Sequence, residues 1–203
     1  MHVIGLTGGI GSGKSTVAKL LEDKGAVLLN ADLIGHEIYL PGKPAYDDII
    51  EAFGREVIAE DGTIDRKKLG PIVFADPKNL ARLNEITHPR IAEAVKERLA
   101  ELEKQGAAVA VIEAAILFEA GWEILADEVW VTVVDPETAA TRAAERGGLD
   151  RQQVLERIKS QMTNEERTSR AQVAISTEGT LADTTRRTDD AWTNLQQRLT
   201  AGS

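Results

Sequence analysis

One stretch near the start of the chain combines glycines, a lysine and hydroxyl residues in an order that suits phosphate chemistry. It runs from Gly8 to Thr16 and fits the pattern G-x-x-x-x-G-K-[ST], with Gly13, Lys14 and Ser15 at its end. Glycine lets the backbone close around a bulky anion, and successive N–H groups then point inward. In such a loop the lysine bridges the β- and γ-phosphates, and the hydroxyl that follows binds Mg²⁺. The pattern therefore predicts that the chain binds a nucleoside triphosphate.

The segments on either side of this loop have the character that the motif requires. Residues 2–6 form a short apolar run typical of a buried strand, and Val17, Leu20 and Leu21 recur at helical spacing. A strand, a glycine loop and a helix N-terminus thus follow one another, and the positive end of the helix attracts phosphate. The alternative is a glycine-rich turn that only joins a strand to a helix. The glycines, lysine and hydroxyls in register favour nucleotide binding.

An aspartate after the second apolar run is the next candidate for chemistry. Residues 26–29 are expected to be a strand, and Asn30, Ala31 and Asp32 follow it. A carboxylate at the carboxyl end of a strand lies where open α/β sheets bind their ligands. Alternatively, Asp32 only caps the helix that begins near Leu33. Position alone leaves both interpretations open.

Composition limits the class of protein. A chain of 203 residues with 42% hydrophobic residues is sufficient for one α/β domain with a proper core. Cysteine is absent, so disulfides and thiolate metal sites are excluded, in agreement with a reducing cytoplasm. No apolar run is long enough to span a bilayer, and no membrane association is expected. A net charge of −9 argues against a nucleic acid partner, because such a surface repels phosphate backbones.

The order of apolar runs and helical patterns predicts the fold. Five runs are expected to be strands: residues 2–6, 26–29, 107–112, 128–134 and 173–176. Because helical patterns separate them, they predict an α/β fold with a parallel five-stranded sheet covered by helices. No strand is expected between about 33 and 105, so this region is interpreted as a helical substrate lobe, 33–105. Within it, Pro89 is expected in the first turn of a long helix that opens at residues 87–90.

Several motifs in order resemble those of the dephospho-coenzyme A kinase family, and the resemblance runs almost end to end. The loop with its flanks, Gly5-Leu6-Thr7-Gly8 through Thr16, is that family's form of the phosphate-binding loop. The other matching segments are Asn30-Ala31-Asp32, Pro41-Gly42, Phe53-Gly54, Asp61-Gly62, Asp65-Arg66, Thr87-His88-Pro89, Ile116-Leu117-Phe118-Glu119, Arg142, Gln161 and Arg167.

This resemblance implies phosphoryl transfer from MgATP to the ribose 3′-hydroxyl of 3′-dephospho-coenzyme A, which gives coenzyme A and ADP. It also implies the P-loop kinase fold, a single domain over 1–203. The core would comprise 1–32, 106–140 and 172–203, and a mobile lid would lie within 141–171. ATP and 3′-dephospho-coenzyme A would be the partners, with the chain a monomer or weak oligomer.

The resemblance also implies roles for individual residues. Lys14 and the loop would hold the phosphates, and Ser15 would bind Mg²⁺. The remaining phosphate-binding residues would be Gly8, Gly9, Gly11, Ser12, Gly13 and Thr16. Asp32 matches the second aspartate of the family motif and would accept the proton of the ribose hydroxyl.

Arg142 matches the family's lid arginine and would reach over the phosphates when the lid closes. By helical spacing alone it would be a solvated arginine that pairs with Glu137 or Glu145. Arg146 is a weaker candidate for the same task. His88 and Arg66 are expected to contact the substrate, although a histidine before a proline can equally act as a helix N-cap. Glu113 ends a strand as a metal-orienting acid would, but no metal role is assigned to it.

Four departures from the family pattern leave rival functions open. Asn30 replaces an acid, Ala115 replaces a proline, and Gln172 and Thr177 stand where aspartate and asparagine are usual, near the expected adenine pocket. The nearest rival is another small-molecule P-loop kinase, acting on a nucleoside monophosphate or a sugar-like alcohol. The second is a nucleotide-binding regulator without transfer activity. Because Lys14, Ser15, Asp32 and Arg142 are all present, an active enzyme is expected.

Overall fold

The computed structural model describes residues 1–147 and 150–201, and these form two compact units. The first unit contains Met1–Leu29 and Leu102–Ser203, and the second contains Asn30–Glu101. The first is built on a β-sheet and the second on helices. The described helices are α1 (Lys14–Asp23), α2 (Ala31–Glu37), α3 (Pro44–Phe53), α4 (Arg66–Ala75), α5 (Pro77–Lys104), α6 (Pro136–Gly147), α7 (Arg151–Lys159), α8 (Asn164–Arg170) and α9 (Leu181–Ala201).

A five-stranded parallel sheet organises the first unit, as the sequence predicts. Its strands are β1 (His2–Gly8), β2 (Val27–Asn30), β3 (Val109–Glu113), β4 (Glu128–Val133) and β5 (Val173–Ser176), in the spatial order β2-β3-β1-β4-β5. The five predicted strands are confirmed, and no strand end differs from its predicted position by more than two residues. The central strands read as continuous apolar runs because helices cover a parallel sheet on both faces.

The central strand β1 places the glycine loop. It pairs with β3 on one side and with β4 on the other, both in parallel register. Leu6 lies opposite Glu113 of β3 and opposite Trp130 of β4. The loop that follows Gly8 therefore leaves the middle of the sheet at its carboxyl edge, where parallel α/β sheets bind ligands.

Aliphatic side chains and one indole ring form the core of this unit. Ile4, Leu6 and Trp130 are fully buried in a cluster that includes Leu21 of α1 and Leu195 of α9. This packing fixes α1 directly behind the loop. The burial of Trp130, and of Trp122 at 3% exposure, agrees with a packing role for these tryptophans.

The second unit contains short helices and one long one. Two 3₁₀ turns lie in the described chain, Arg55–Val57 in this unit and Trp122–Leu125 in the sheet unit. Among the described residues of the helical unit, the only strand-like pairing is an isolated antiparallel bridge between Ile58 and Ile64. None of the helices described is both long and apolar enough to cross a membrane.

The predicted start of the long helix is wrong. Helix α5 is continuous from Pro77 to Lys104, with Pro89 in its interior, so His88 is not its N-cap. Proline removes one helical hydrogen bond and normally breaks a helix. Here Thr87, Ile91 and Val95 are buried at a spacing of four residues, so one packed stripe continues past the proline. Burial of that stripe offsets the lost hydrogen bond.

Candidate active site

A cavity of about 460 Å³ opens around the glycine loop of the sheet unit. The whole loop, residues 8–16, lines it. Side chains from distant parts of the chain complete the wall, among them Ala115, Arg142, Arg146, Gln161, Thr177 and Leu181. Residues more than a hundred positions away in sequence therefore surround the phosphate-binding loop.

The loop backbone has the form of an anion cradle. Gly13 is the N-cap of α1, with a left-handed φ of +80°, and no side chain caps this helix end. The first turn of α1 contains no acidic residue, so no carboxylate in that turn offsets the positive end of the helix, which is available to a bound anion. Gly11 also has positive φ, and a Cβ there would lie 2.2 Å from the carbonyl oxygen of Ala139. Glycine is thus required at both positions, by conformation and by close packing.

Lys14 and Ser15 share one buried carboxylate. The Nζ of Lys14 and the Oγ of Ser15 each donate to Oε1 of Glu113, at 3.0 Å. The Glu113 side chain is only 4% exposed and Lys14 is 14% exposed. This arrangement holds the cation and the hydroxyl at the mouth of the cradle, and it places a fixed negative charge beside the hydroxyl.

Glu113 is the functional candidate that sequence reasoning left without a role. The available signal was its position, since it ends a buried strand as Asp32 follows one. The parallel pairing of β1 with β3 brings its carboxylate to the loop. A strand-end acid becomes informative only when the sheet order shows which strand is its neighbour.

Arg142 lies beside the loop and binds Thr177. Its Nη1 donates to Thr177 Oγ1 at 3.1 Å, and its Nη2 donates to the Thr177 carbonyl oxygen at 2.9 Å. The Thr177 hydroxyl in turn donates to the carbonyl oxygen of Ser12 at 2.9 Å. The structure does not have the expected alternative, a pairing with Glu137 or Glu145, because both terminal nitrogens of Arg142 bind Thr177. Glu137 pairs with Arg151 instead. Arg142 is therefore joined to the loop through one threonine.

The other lining side chains differ in how firmly they are held. Gln161 accepts a hydrogen bond from the N–H of Ile10 at 3.0 Å, so it contacts the loop directly. Arg146 lines the cavity as an exposed residue of α6. The expected lid region includes Gly148 and Leu149, which lie outside the described residues.

Of the two departures expected near the adenine pocket, only one lines the cavity. Thr177 follows the carboxyl end of β5 and is buried against the loop. Gln172 precedes the amino end of the same strand, where its Oε1 accepts from the N–H of Val129 at 2.6 Å. The expectation for Gln172 is wrong, because the two ends of a parallel strand lie at opposite edges of the sheet.

Asp32 lies in the first turn of α2, in the helical unit, and its side chain is exposed. It does not cap that helix. The cap is Asn30, whose Oδ1 accepts from the N–H of Leu33 at 2.9 Å. The departure from an acid at position 30 thus leaves a good N-cap, and the Asp32 carboxylate remains exposed at the positive end of the helix.

The expected substrate contacts Arg66 and His88 also belong to the helical unit. Arg66 is exposed, and its Nη1 lies 2.5 Å from Nε2 of His36. His88 is half-buried in α5, and burial lowers the pKa of its imidazole, which favours the neutral ring near pH 7. The two candidates therefore differ in charge: Arg66 offers a cation and His88 a neutral hydrogen-bonding ring.

Within residues 1–147 and 150–201, no three His, Asp or Glu side chains cluster closely enough to hold a metal ion by themselves. Mg²⁺ often binds through one or two protein oxygens together with substrate phosphates. The Ser15 hydroxyl and the Glu113 carboxylate are such oxygens, so the residues present fit a magnesium ion that arrives with a nucleotide.

The sheet order and a phosphate loop after its central strand define a P-loop kinase type of phosphotransferase. A shikimate kinase from Bacteroides thetaiotaomicron shares the fold, with a TM-score of 0.55, 14% identity, and coverage of 96% of this chain and 98% of that one. A dephospho-CoA kinase from Campylobacter jejuni is more similar, with a TM-score of 0.72, 26% identity, and coverage of 96% and 97%.

The dephospho-CoA kinase family model matches residues 2–183. A dephospho-CoA kinase from Geobacter sulfurreducens is 47% identical over 192 residues, covering 95% of this chain and 98% of that protein. The chain belongs to the dephospho-CoA kinase family. It is accordingly an ATP-using phosphotransferase that acts in the last step of coenzyme A biosynthesis.

Proposed function

We propose that this chain transfers the γ-phosphoryl group of MgATP from the glycine-loop cavity to the ribose 3′-hydroxyl of 3′-dephospho-CoA, with Asp32 as the base. The observation that carries the proposal is the cluster of Lys14, Ser15 and Glu113, held by two 3.0 Å hydrogen bonds at the cradle. Phosphoryl transfer needs mainly positioning and charge neutralisation, and this cluster supplies both.

On the ATP side, Lys14 neutralises charge on the β- and γ-phosphates, and the amides of residues 11–16 hold the polyphosphate. Binding of ATP requires Lys14 to exchange its contact with Glu113 for a phosphate contact. The Ser15 hydroxyl and the released Glu113 carboxylate would then be the groups that hold magnesium. Magnesium, when bound, neutralises charge on the β- and γ-phosphates.

Arg142 and Arg146 add positive charge on the α6 side of the cavity. Arg142 is supported by its two bonds to Thr177, which fix the guanidinium plane. A planar guanidinium held in this way is suited to phosphate oxygens. Arg146, exposed on the next turn of α6, contributes a more mobile charge.

Asp32 accepts the proton as the new bond forms. The 3′-oxygen bonds to the γ-phosphorus while the bond from that phosphorus to the β–γ bridging oxygen breaks, and ADP leaves with the electron pair. The hydroxyl proton passes to Asp32. Two observations support the assignment: the Asp32 carboxylate is exposed in the first turn of α2, and Asn30, not Asp32, caps that helix.

The helical unit binds the acceptor. The exposed Arg66 attracts the diphosphate of 3′-dephospho-CoA against the net charge of −9, and His88 offers a neutral ring to its polar groups. The cytoplasmic location and the absence of a nucleic acid partner remain predictions from composition, and the monomeric or weakly oligomeric state also remains a prediction.

An acceptor panel tests the proposal. ADP formation from MgATP is measured with 3′-dephospho-CoA, with a nucleoside monophosphate, with a sugar alcohol, and without acceptor. Turnover should be highest with 3′-dephospho-CoA and should yield coenzyme A, identified by mass. Equal or faster turnover with another acceptor would overturn the assigned substrate, and ATP binding without acceptor-dependent turnover would indicate a regulator.

A further inference from the structure

One arginine of the sheet unit is buried with few partners. The Arg167 side chain is 2% exposed. Its Nη1 donates to the carbonyl oxygen of Met162, and its Nη2 lies 3.5 Å from Oε1 of Glu119. Within the described residues, neither Nε nor Nη2 makes a hydrogen bond. The guanidinium is thus buried with two of its three nitrogens unsatisfied.

Stability does not explain this arrangement. Burying a cation is costly unless it is paired and hydrogen-bonded, and each unsatisfied donor adds to the cost. The Glu119 carboxylate is about one third exposed to solvent, so water weakens its attraction for the Arg167 guanidinium. Burial accordingly lowers the pKa of Arg167. A residue that is unfavourable for folding is a candidate for function.

Its position identifies the function. A Cβ added to Gly9 would lie 3.4 Å from Arg167 Nη1 and 3.5 Å from Gln161 Oε1. Gln161 also holds the N–H of Ile10. The segment between α7 and α8 therefore contacts the first half of the glycine loop, and the Arg167 charge lies directly behind Gly9. In such a loop the backbone amides cradle the α- and β-phosphates and the lysine reaches the β- and γ-phosphates, so a positive charge behind the loop acts on the bound polyphosphate.

We propose that Arg167 is a positioning residue for the γ-phosphate of ATP, holding the Gly9 side of the cradle and placing a buried positive charge behind it. The inference rests on the proposed function, since it assumes that the γ-phosphoryl group is the one transferred.

The test compares Arg167→Met with Arg167→Lys. Methionine is shorter than arginine but is apolar and uncharged, so R167M removes the costly buried cation and should keep the melting temperature or raise it. Its affinity for ADP should stay within about twofold, its affinity for ATP should fall about tenfold, and kcat should fall about 100-fold, as for loss of one preorganised donor. R167K restores the charge without the fork and should recover part of both losses.

Arg170→Met is the matched control. Arg170 lies one turn further along α8, is 42% exposed, pairs with Glu123 and stacks on the Phe118 ring at 4.3 Å. Both arginines contact residues 118–123, since Arg167 lies near Glu119. R170M therefore reports the effect of weakening the contacts of α8 with that segment. Turnover and both nucleotide affinities should remain near those of the unaltered chain.

Three results would overturn the inference. One is R167M that keeps its turnover. Another is R167M whose melting temperature and affinities for ADP and ATP fall together, which would make the role structural. The third is R167K as impaired as R167M, which would exclude the charge. Both nucleotide titrations omit the acceptor, so failure of 3′-dephospho-CoA as a substrate would disprove the proposed function and leave this test standing.

Discussion

The candidate functional groups of the two units differ in their partners and in their exposure. In the sheet unit the candidate groups are joined to one another: Glu113 binds Lys14 and Ser15, and Arg142 binds Thr177. In the helical unit the candidates Asp32 and Arg66 are exposed. The proposed nucleotide site is therefore preorganised by the fold, whereas the proposed acceptor groups Asp32 and Arg66 are exposed.

This contrast has a physical reason. Preorganised dipoles and charges around a transferred group lower the barrier because they need no rearrangement during the reaction. A helix N-terminus and a glycine loop create such a site from local structure alone. The groups proposed to bind the acceptor have no comparable local device. Variants in the sheet unit should thus affect every acceptor alike.

The largest effect is expected from Lys14→Ala. This variant removes the charge at the β- and γ-phosphates and leaves Glu113 buried without that partner, so kcat/KM should fall by roughly 10³-fold or more. Steady-state kinetics and ATP titration measure the loss. Lys19→Ala is the control, because Lys19 is exposed on the same helix and pairs with Glu22 and Asp23. A K14A enzyme within tenfold of normal would show that the cradle is not the site.

Arg142→Lys should have an intermediate effect. Lysine cannot reproduce the two bonds to the Thr177 hydroxyl and carbonyl, so the KM for ATP should rise about tenfold. The same shift should appear with every acceptor tested. Arg151→Lys, which alters an exposed ion pair with Glu137 on the outside of the same helices, serves as the control. Equal kinetics of the two variants would contradict a specific role for Arg142.

The smallest effect on turnover is expected from a change near Glu128, at the amino end of β4 and away from the glycine loop. Burial raises the pKa of Glu128, but bonds from Arg198 and Trp130 outweigh it, so the pKa lies below its ordinary value. A carboxyl group with a lowered folded pKa stabilises the fold above the unfolded pKa of about 4.3, and that stability is lost as pH falls through the folded value.

Arg198→Met should therefore lower the free energy of unfolding by about 1–2 kcal/mol at pH 7, a value reduced because Arg198 is largely exposed. Below about pH 4 the difference from the unaltered chain should shrink, since Glu128 becomes protonated in both proteins and the charge pair with Arg198 is lost. Denaturant unfolding at several pH values measures this, with kcat unchanged. A stability difference that stays constant down to pH 3 would contradict the assigned cause.

Patterns in neighbouring residues predicted those features that are formed by short, contiguous segments of the chain. Five strands and the glycine loop follow from apolar runs and from a motif whose residues are contiguous. The start of α5 was wrong because a rule about one proline ignored the stripe of Thr87, Ile91 and Val95 that packs past it. Tertiary burial outweighed the local preference of Pro89.

The remaining site residues depend on contacts between distant parts of the chain. Gln161 and Ile10 are 151 positions apart, and Thr177 and Ser12 are 165 apart. Nothing in the sequence near Arg167 signals that it will be buried behind Gly9. The resemblance to a family identified Gln161 and Arg167 as matching positions, but only the folded chain gives them neighbours and therefore a physical role.

The proposed chemistry depends most on Asp32 as the proton acceptor. The direct test is Asp32→Asn, with Asp47→Asn as control, since Asp47 is an exposed acid in the first turn of α3. Formation of ADP and coenzyme A from MgATP and 3′-dephospho-CoA should fall roughly 10²- to 10⁴-fold in D32N, the range for loss of a general base, with ATP affinity unchanged. Turnover in D32N close to that of D47N would contradict the assignment of the base.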